Sequence, residues 1–276
     1  MNRDIITISF CILAASGAVL GRIPAEKSAE KAFREGRWHD AAEAYMRVLS
    51  EGKDCVQLRT LLATSQLKAD LTGEAIDTLE YYCRLNDSPD AGLVRMLADI
   101  YYSERMYNQA EECYKQLISN EEASEEDYKR LASVYFDTSR WKQAASIYTE
   151  LADSNPEDAN SCLYLGEAEL KMGEIENASE SFKMAMQRDT DRAAPALALA
   201  GLQIDSGDYA GAAESLREAI ARGSGGIERY RSWILCLIRS GQMGKARGAL
   251  IEVFREFPER SEPNQLLDEY LQELFG

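Results

Sequence analysis

The sequence predicts an all-α fold, an α-solenoid of about seven antiparallel helix pairs. The first observation is a segment pattern that recurs every 34 residues from Gly36 onward, with one extra residue between the second and third copies. The second is that apolar residues inside each copy follow the 3.6-residue period of a helix. The third is the low proline content, 6 residues in a chain of 276, with most of them near predicted helix ends. Helix interiors are therefore free of the residue that breaks them.

The second helix of each pair is defined by a small residue followed by a large apolar one. The small residue is always alanine, at Ala41, Ala75, Ala110, Ala144, Ala178, Ala212 and Ala246. The large residue comes four positions later, at Tyr45, Leu79, Tyr114, Tyr148, Phe182, Leu216 and Leu250. Residues four apart share one helix face. The alanine allows the second helix to approach the first closely.

The first helix and the turn of each pair have matching signals. Leucine followed by a small residue recurs in the first helices, as in Leu165 and Gly166. A glycine opens four of the seven second-helix segments, at Gly36, Gly173, Gly207 and Gly241. Glycine permits the tight turn between paired helices. Ser124 followed by Asp127 predicts a capping box at the start of a first helix.

These residues resemble the tetratricopeptide repeat family over residues 22–260. The predicted repeats are 22–55, 56–90, 91–124, 125–158, 159–192, 193–226 and 227–260. The resemblance implies a right-handed superhelix whose first helices line a concave groove. The first copy departs most from the family pattern, because Ala25, Ser28 and Ala29 stand where larger residues are usual.

The two ends of the chain differ from the repeats. Residues 1–21 are predicted to be a secretory signal peptide, since Arg3 precedes an uncharged apolar run and small residues follow it. An uncleaved inner-membrane anchor through residues 5–21 is the alternative. Residues 261–276 are predicted to form an amphipathic helix that caps the last repeat. The expected location is the periplasm or envelope, with no membrane insertion after cleavage.

Composition and motifs exclude several classes of function. The net charge is −16 and no long basic run occurs, which argues against nucleic-acid binding. His39 is the only histidine and no C-x-x-C is present, so no metal site is expected. No catalytic triad or phosphate-binding glycine loop is found, so neither an enzyme nor a cofactor is predicted. The five cysteines after residue 21 are interpreted as reduced core thiols.

A candidate binding groove follows from one apolar position in each first helix. That position holds Phe33, Leu67, Tyr102, Phe136, Leu170, Ile204 and Ile238. The predicted partner-binding residues are Tyr102, Phe136, Lys129, Leu163, Tyr164, Leu170, Leu197 and Ile204. Such a track would hold an extended peptide or an amphipathic helix. The alternative is that the apolar position supports packing between neighbouring repeats.

Two charged features refine the expected partner. The family's clamp for chaperone tails requires asparagines, but Ser133 and Tyr164 occupy those places beside Lys129 and Arg130. That clamp is incomplete, and chaperone-tail binding is rejected. The acidic segment 119–127 is interpreted as a solvated loop, and attraction of a partner with a basic patch is the alternative.

The predicted function is that of a non-catalytic protein-binding scaffold, and the resemblance favours a bacterial envelope. The alternatives are an accessory or inhibitory subunit of an envelope enzyme complex and an assembly factor anchored in the inner membrane.

Overall fold

Residues 24–257, which the computed structural model describes, contain fourteen α-helices and no strand. The first helices of the pairs are α1 (Pro24–Arg34), α3 (Val56–Lys68), α5 (Ala91–Ser103), α7 (Glu125–Asp137), α9 (Ala159–Met172), α11 (Ala194–Asp205) and α13 (Ile227–Arg239). The second helices are α2 (Trp38–Ser50), α4 (Thr72–Leu85), α6 (Tyr107–Ser119), α8 (Trp141–Ser154), α10 (Ile175–Arg188), α12 (Tyr209–Ala221) and α14 (Met243–Glu256). The prediction of an all-α helical repeat is confirmed. The predicted export signal and capping helix lie outside the described residues.

The chain divides into two compact units. Unit 1 extends to Val134 and unit 2 begins at Tyr135, so the division falls within α7. Within each unit, paired helices pack against each other and against the next first helix, as α9 does with α10 and α12 with α13.

The core of each unit is built on the second-helix stripe that the sequence predicts. All seven stripe alanines are fully buried, and the large residues four positions later are buried with them. Burying one large apolar side chain stabilises the fold by roughly 1.5–3 kcal/mol. The fixed 34-residue spacing of these residues therefore sets the position of each pair.

Gly166 lies where α9 and α10 pack closely against each other. A Cβ atom at this position would lie 2.6 Å from Cε1 of Phe182 and 3.2 Å from the carbonyl oxygen of Ala178. Phe182 is fully buried on α10. The leucine-then-small pattern of α9 therefore exists because the Phe182 ring occupies the space of a side chain.

The turns inside the pairs use a left-handed residue in every repeat. Four of these residues are the predicted glycines, with φ between 71° and 81°. The other three are Asp70, Arg105 and Ser139, with φ of 58°, 60° and 59°. For a residue with a Cβ atom this conformation costs roughly 1–2 kcal/mol. The turn geometry is therefore common to all repeats, although its residue type is not.

The predicted capping box at the start of α7 is present. The backbone N–H and the hydroxyl of Ser124 donate to Oδ2 of Asp127 at 2.7 and 2.8 Å. In return, the backbone N–H of Asp127 approaches the Ser124 hydroxyl oxygen at 3.4 Å. These bonds satisfy donors that a helix start leaves open.

Two arginines in unit 2 tie neighbouring repeats together. Arg188, the last residue of α10, donates to the carbonyl oxygens of Ala152, Asn155 and Asp158 at 3.0–3.4 Å. Arg222, 34 residues later, donates to the carbonyl oxygens of Met186, Asp189 and Arg192 at 2.9–3.3 Å. Each guanidinium thus satisfies the carbonyls where the preceding repeat's second helix ends.

Candidate partner-binding surface

The first helices carry three positions, spaced i, i+4 and i+7, that lie on one helix face. We call this face the first-helix stripe. In unit 1 it comprises Glu26, Glu30, Phe33, Thr60, Thr64, Leu67, Arg95, Asp99, Tyr102, Lys129 and Ser133. In unit 2 it comprises Phe136, Leu163, Glu167, Leu170, Leu197, Gly201, Ile204, Arg231, Leu235 and Ile238.

The polar groups of the unit 1 stripe are bonded inside the chain. Glu26 is buried and accepts a hydrogen bond from Lys53, and Arg34 pairs with Glu30 at 3.4 Å. Lys129 pairs with Glu125 at 2.6 Å. The hydroxyls of Thr60, Thr64 and Ser133 each donate to the backbone carbonyl four residues earlier. These side chains use their bonding capacity within unit 1.

Arg95 forms the best-defined ion pair of this stripe. Its Nε and Nη2 atoms donate to the two carboxylate oxygens of Asp127 at 2.6 and 2.8 Å. Asp127 is 1% exposed. Burial opposes ionisation of Asp127, but the bonds from Arg95 and Ser124 outweigh it and hold the pKa of this carboxyl below its ordinary value. Arg95 also donates to the carbonyl oxygen of Glu122 at 3.2 Å, which anchors the loop before α7.

Asp99 is a third internally bonded carboxylate of the unit 1 stripe, after Glu26 and Glu30. It accepts a hydrogen bond of 2.6 Å from the hydroxyl of Tyr114, which is buried on α6. Burial raises the pKa of Asp99, and the Tyr114 hydroxyl and the Arg130 charge offset only part of that effect. Arg130 in turn pairs with Glu126 at 3.1 Å.

The unit 2 stripe is mainly apolar. Leu170 and Ala198 pack against a core cluster that includes Leu163 and Phe182, and Leu170 keeps part of its surface exposed. Leu197 and Ile204 are likewise half-buried, at the edge of the next cluster. Gly201, between them on α11, is exposed, and a Cβ atom there would meet nothing within 4 Å. The surface of α11 is therefore open at its centre and apolar on both sides.

Glu167 is the charged exception on α9. It is half-buried, one turn after Leu163 and three residues before Leu170. Burial raises the pKa of the Glu167 carboxyl, and Lys171 one turn further on offsets only part of that effect. Within residues 24–257 Glu167 forms no hydrogen bond or ion pair, and Lys171 acts on it only through its charge. The carboxylate oxygens of Glu167 can therefore accept hydrogen bonds from a group outside residues 24–257.

The predicted groove residues do not all lie in the same unit or make the same kind of contact. Tyr102 and Lys129 lie in unit 1 and the other six lie in unit 2. The Tyr102 ring packs edge-on against Tyr107, with centroids 5.9 Å apart, and Phe136 packs in the same way against Trp141 at 4.8 Å. Both rings therefore contribute to packing at the turn of their own helix pair.

The leucines, the isoleucine and Tyr164 differ in how much surface they offer. Leu163 is 7% exposed and belongs to the core. Tyr164 is 44% exposed, and its ring stacks on Tyr148 of α8 with centroids 5.5 Å apart. Leu170, Leu197 and Ile204 keep partly exposed apolar surface on the stripe. Of the predicted residues in unit 2, these three are the half-buried apolar ones on the first-helix stripe, with Leu170 on α9 and the other two on α11.

The sequence pattern places Glu167 and Gly201 near the apolar groove position, but neither was among the predicted partner-binding residues. The signal for Glu167 was a single carboxylate with leucines four residues before and three after it. The signal for Gly201 was a helical glycine at the same place in the next repeat, where no turn requires one. Glycine inside a helix costs stability relative to alanine, which makes its presence on an open helix face noticeable in the sequence.

The acidic segment 119–127 is partly neutralised within the chain. Asp127 is buried against Arg95, and Arg130 pairs with Glu126. Glu121, Glu122 and Glu125 remain exposed. The segment therefore acts partly as a cap for α7 and partly as a solvated loop.

Function could also depend on a metal site, a reactive thiol or a membrane-spanning helix among the described residues. No group of three side chains suited to hold a metal ion occurs among these residues. Cys162 and Cys236 are buried, and burial raises the pKa of both thiols. Burial also raises the pKa of Cys113 to about 12. No helix between residues 24 and 257 is both long and apolar enough to cross a bilayer.

Repeated helix pairs with an exposed face define a helical-repeat interaction protein, and the comparisons identify the family. Models described as tetratricopeptide repeat match residues 27–89, 96–124 and 129–196, which together make more than half of the chain. The chain belongs to the tetratricopeptide repeat family. This fold serves in general as a scaffold for protein–protein interactions. The comparison with curated proteins found no match.

Solved structures with a similar fold include three bacterial proteins. The C-terminal part of a repeat-containing protein from Cytophaga hutchinsonii has a TM-score of 0.66 at 14% identity, over 87% of this chain and 98% of that one. MamA from Desulfovibrio magneticus has a TM-score of 0.55 at 16% identity, over 61% and 95% of the two chains. Pseudomonas aeruginosa pilF has a TM-score of 0.52 at 18% identity, over 84% and 99%. These likenesses support the fold.

Proposed function

We propose that the protein is a non-enzymatic scaffold that binds a segment of a partner protein on the first-helix stripe of unit 2. The observation that carries this proposal is the open surface at Gly201 on α11, with partly exposed Leu197 and Ile204 on either side of it along the helix. Leu170 adds partly exposed apolar surface on the stripe of α9. Partly exposed apolar side chains at helical spacing match the anchors of a peptide or an amphipathic helix. The unit 1 stripe is a poorer candidate because its polar groups are bonded internally.

The proposal is tested by placing a photo-crosslinking amino acid at Gly201 and, separately, at Gly248. Gly248 is the control because it is also helical and exposed, and a Cβ atom there would meet nothing within 4 Å. In extract from the source organism, we expect a defined adduct from position 201 and none from position 248. Binding of the adduct's protein should then be lost in Gly201→Leu and retained in Gly248→Leu.

Equal labelling from both positions, or full binding by Gly201→Leu, would contradict the proposal. The identity of the cross-linked protein also separates the scaffold from its alternative. An enzyme whose turnover changes when this chain binds would make the protein an accessory or inhibitory subunit.

We further propose that the chain is exported to a bacterial envelope. The support is the uncharged run of residues 5–21, which follows Arg3 and Asp4 and ends in small residues suited to signal-peptidase cleavage. Mass spectrometry of the protein from the source cell is expected to show a chain lacking the first 18 or 21 residues. An intact N-terminus in the membrane fraction would instead support an assembly factor anchored through residues 5–21.

A further inference from the structure

We propose that Glu167 recognises one basic side chain, lysine or arginine, of a protein segment bound on the unit 2 stripe. This inference rests on the proposed function and adds the chemistry of the bound segment. The segment is expected to carry apolar residues on both sides of its basic residue, because apolar positions flank Glu167 on α9 and Gly201 on α11.

The position of Glu167 places its carboxylate on the binding surface. Leu163, Glu167 and Leu170 are spaced by four and three residues, so they share one face of α9. Leu163 and Leu170 belong to the same apolar cluster. Gly201 occupies the place of Glu167 one repeat later, and its missing side chain leaves open space beside the apolar residues of α11. A partner side chain therefore has room to enter between apolar neighbours.

Glu167 is the one charged residue of the described stripes that forms no hydrogen bond or ion pair within residues 24–257, although the charge of Lys171 acts on it. The other charged stripe residues each have a partner within residues 24–257, as Arg95 has Asp127 and Arg231 has Glu228 at 3.7 Å. A half-buried carboxylate has lost part of its hydration, and a bond to a cation restores that loss. Burial raises the pKa of Glu167, and the charge of Lys171 offsets only part of that effect, so a closer cation would stabilise the ionised carboxylate further.

A basic side chain satisfies this surface better than the alternatives. An acidic segment would be repelled by Glu167 and by a chain of net charge −16. A purely apolar segment would bury the carboxylate further and leave it unpaired, which is costly. The aliphatic stems of lysine and arginine can lie on Leu170 or Leu197 while the charged group reaches the carboxylate.

The test uses a phage-displayed library of random linear peptides, selected on the full-length protein. Peptides that combine apolar residues with a lysine or arginine should be enriched. Their affinity should fall about tenfold or more in Glu167→Gln, because a hydrogen bond between charged groups is lost. Glu176→Gln is the matched control, since Glu176 is exposed on α10 and the substitution makes the same charge change. Selection on Glu167→Lys should favour peptides with aspartate or glutamate instead.

The outcomes separate this inference from the proposed function. In one outcome, the selected peptides lose affinity for Gly201→Leu but bind Glu167→Gln like the wild type. That result would overturn the recognition of a basic residue by Glu167 and would still support binding on the unit 2 stripe. Selected peptides that bind Gly201→Leu like the wild type, or a library that yields no peptide, would overturn the proposal that the unit 2 stripe binds a protein segment. Thermal unfolding of each variant checks that the fold is retained.

Discussion

The first-helix stripes of the two units use the same helix positions for opposite purposes. In unit 1, Arg95 and Asp99 are bonded to Asp127 and Tyr114, and the neighbouring hydroxyls are bonded to the backbone. In unit 2 the corresponding positions are mainly leucine, glycine and isoleucine, with Glu167 lacking a bond among the described residues. Polar residues on a stripe therefore do not by themselves indicate recognition. What matters is whether their hydrogen bonds are already made within the chain.

The largest expected effect concerns two arginines at the same repeat position. Arg95→Ala should cost about 2–4 kcal/mol of unfolding free energy, because it leaves the buried Asp127 carboxylate without its cation. Arg231→Ala, at the equivalent position in unit 2, should change stability by less than about 0.5 kcal/mol. The Arg231 side chain is 44% exposed and lies 3.7 Å from Glu228. Urea unfolding measures the free energy of unfolding of both variants. Equal losses would show that the two stripes do not differ in how their charged residues contribute to stability.

The next effect contrasts two helical glycines in unit 2. Gly166→Ala should destabilise the fold by about 1–3 kcal/mol, since its Cβ atom would overlap the Phe182 ring. Gly201→Ala should stabilise it by about 0.5–1 kcal/mol, because the site is open and alanine favours helix. Thermal unfolding should shift in opposite directions for the two variants. A destabilised Gly201→Ala variant would show that this surface is more closely packed than proposed.

A smaller effect is expected at the turns, where each unit uses both glycine and non-glycine residues in the left-handed conformation. Arg105→Gly in unit 1 should raise stability by up to about 1 kcal/mol by relieving a left-handed residue that carries a Cβ atom. Gly173→Ala in unit 2 should lower it by a similar amount, because φ is 79° there. Denaturant midpoints report both changes. A loss of stability in Arg105→Gly would mean that the arginine side chain contributes more than its backbone conformation costs.

The smallest expected effect is a pH dependence with opposite signs at two carboxylates. Asp127 has a lowered pKa, so its contribution to stability is present above its ordinary pKa and lost as pH falls through the lowered value. Glu167 has a raised pKa, so its contribution is present below its ordinary pKa and lost as pH rises through the raised value. Glu167→Gln should therefore be slightly more stable than the wild type at neutral pH. That gain should vanish below about pH 4, near the ordinary pKa of glutamate.

The helix pairs could be predicted from sequence because their determinants are local and repeated. The alanine followed by a large apolar residue identified every second helix, and each such alanine is fully buried. Ser124 and Asp127 were sufficient to predict the capping box of α7. Each of these features depends on spacing within about one or two helical turns, which the sequence displays directly.

The binding surface was less predictable because it depends on contacts between helices. Phe136 was predicted to be a groove residue, but whether its ring is free depends on Trp141 across the turn. The partner of Arg95 is 32 residues away, and sequence alone does not distinguish that arginine from the exposed Arg231. The sequence likewise does not show that Glu167 lacks a hydrogen bond or ion pair, because that depends on which side chains the neighbouring helices place near it.

The hydrogen bonds of Arg188 and Arg222 affect how unit 2 unfolds. Each guanidinium satisfies backbone carbonyls one repeat earlier, so fraying of a later repeat exposes the end of the one before it. In a linear array of repeats, stability is the sum of each repeat and its nearest-neighbour couplings. These two arginines strengthen the contacts between two successive pairs of neighbouring repeats. We therefore expect the repeats between Ala152 and Arg222 to unfold together rather than one at a time.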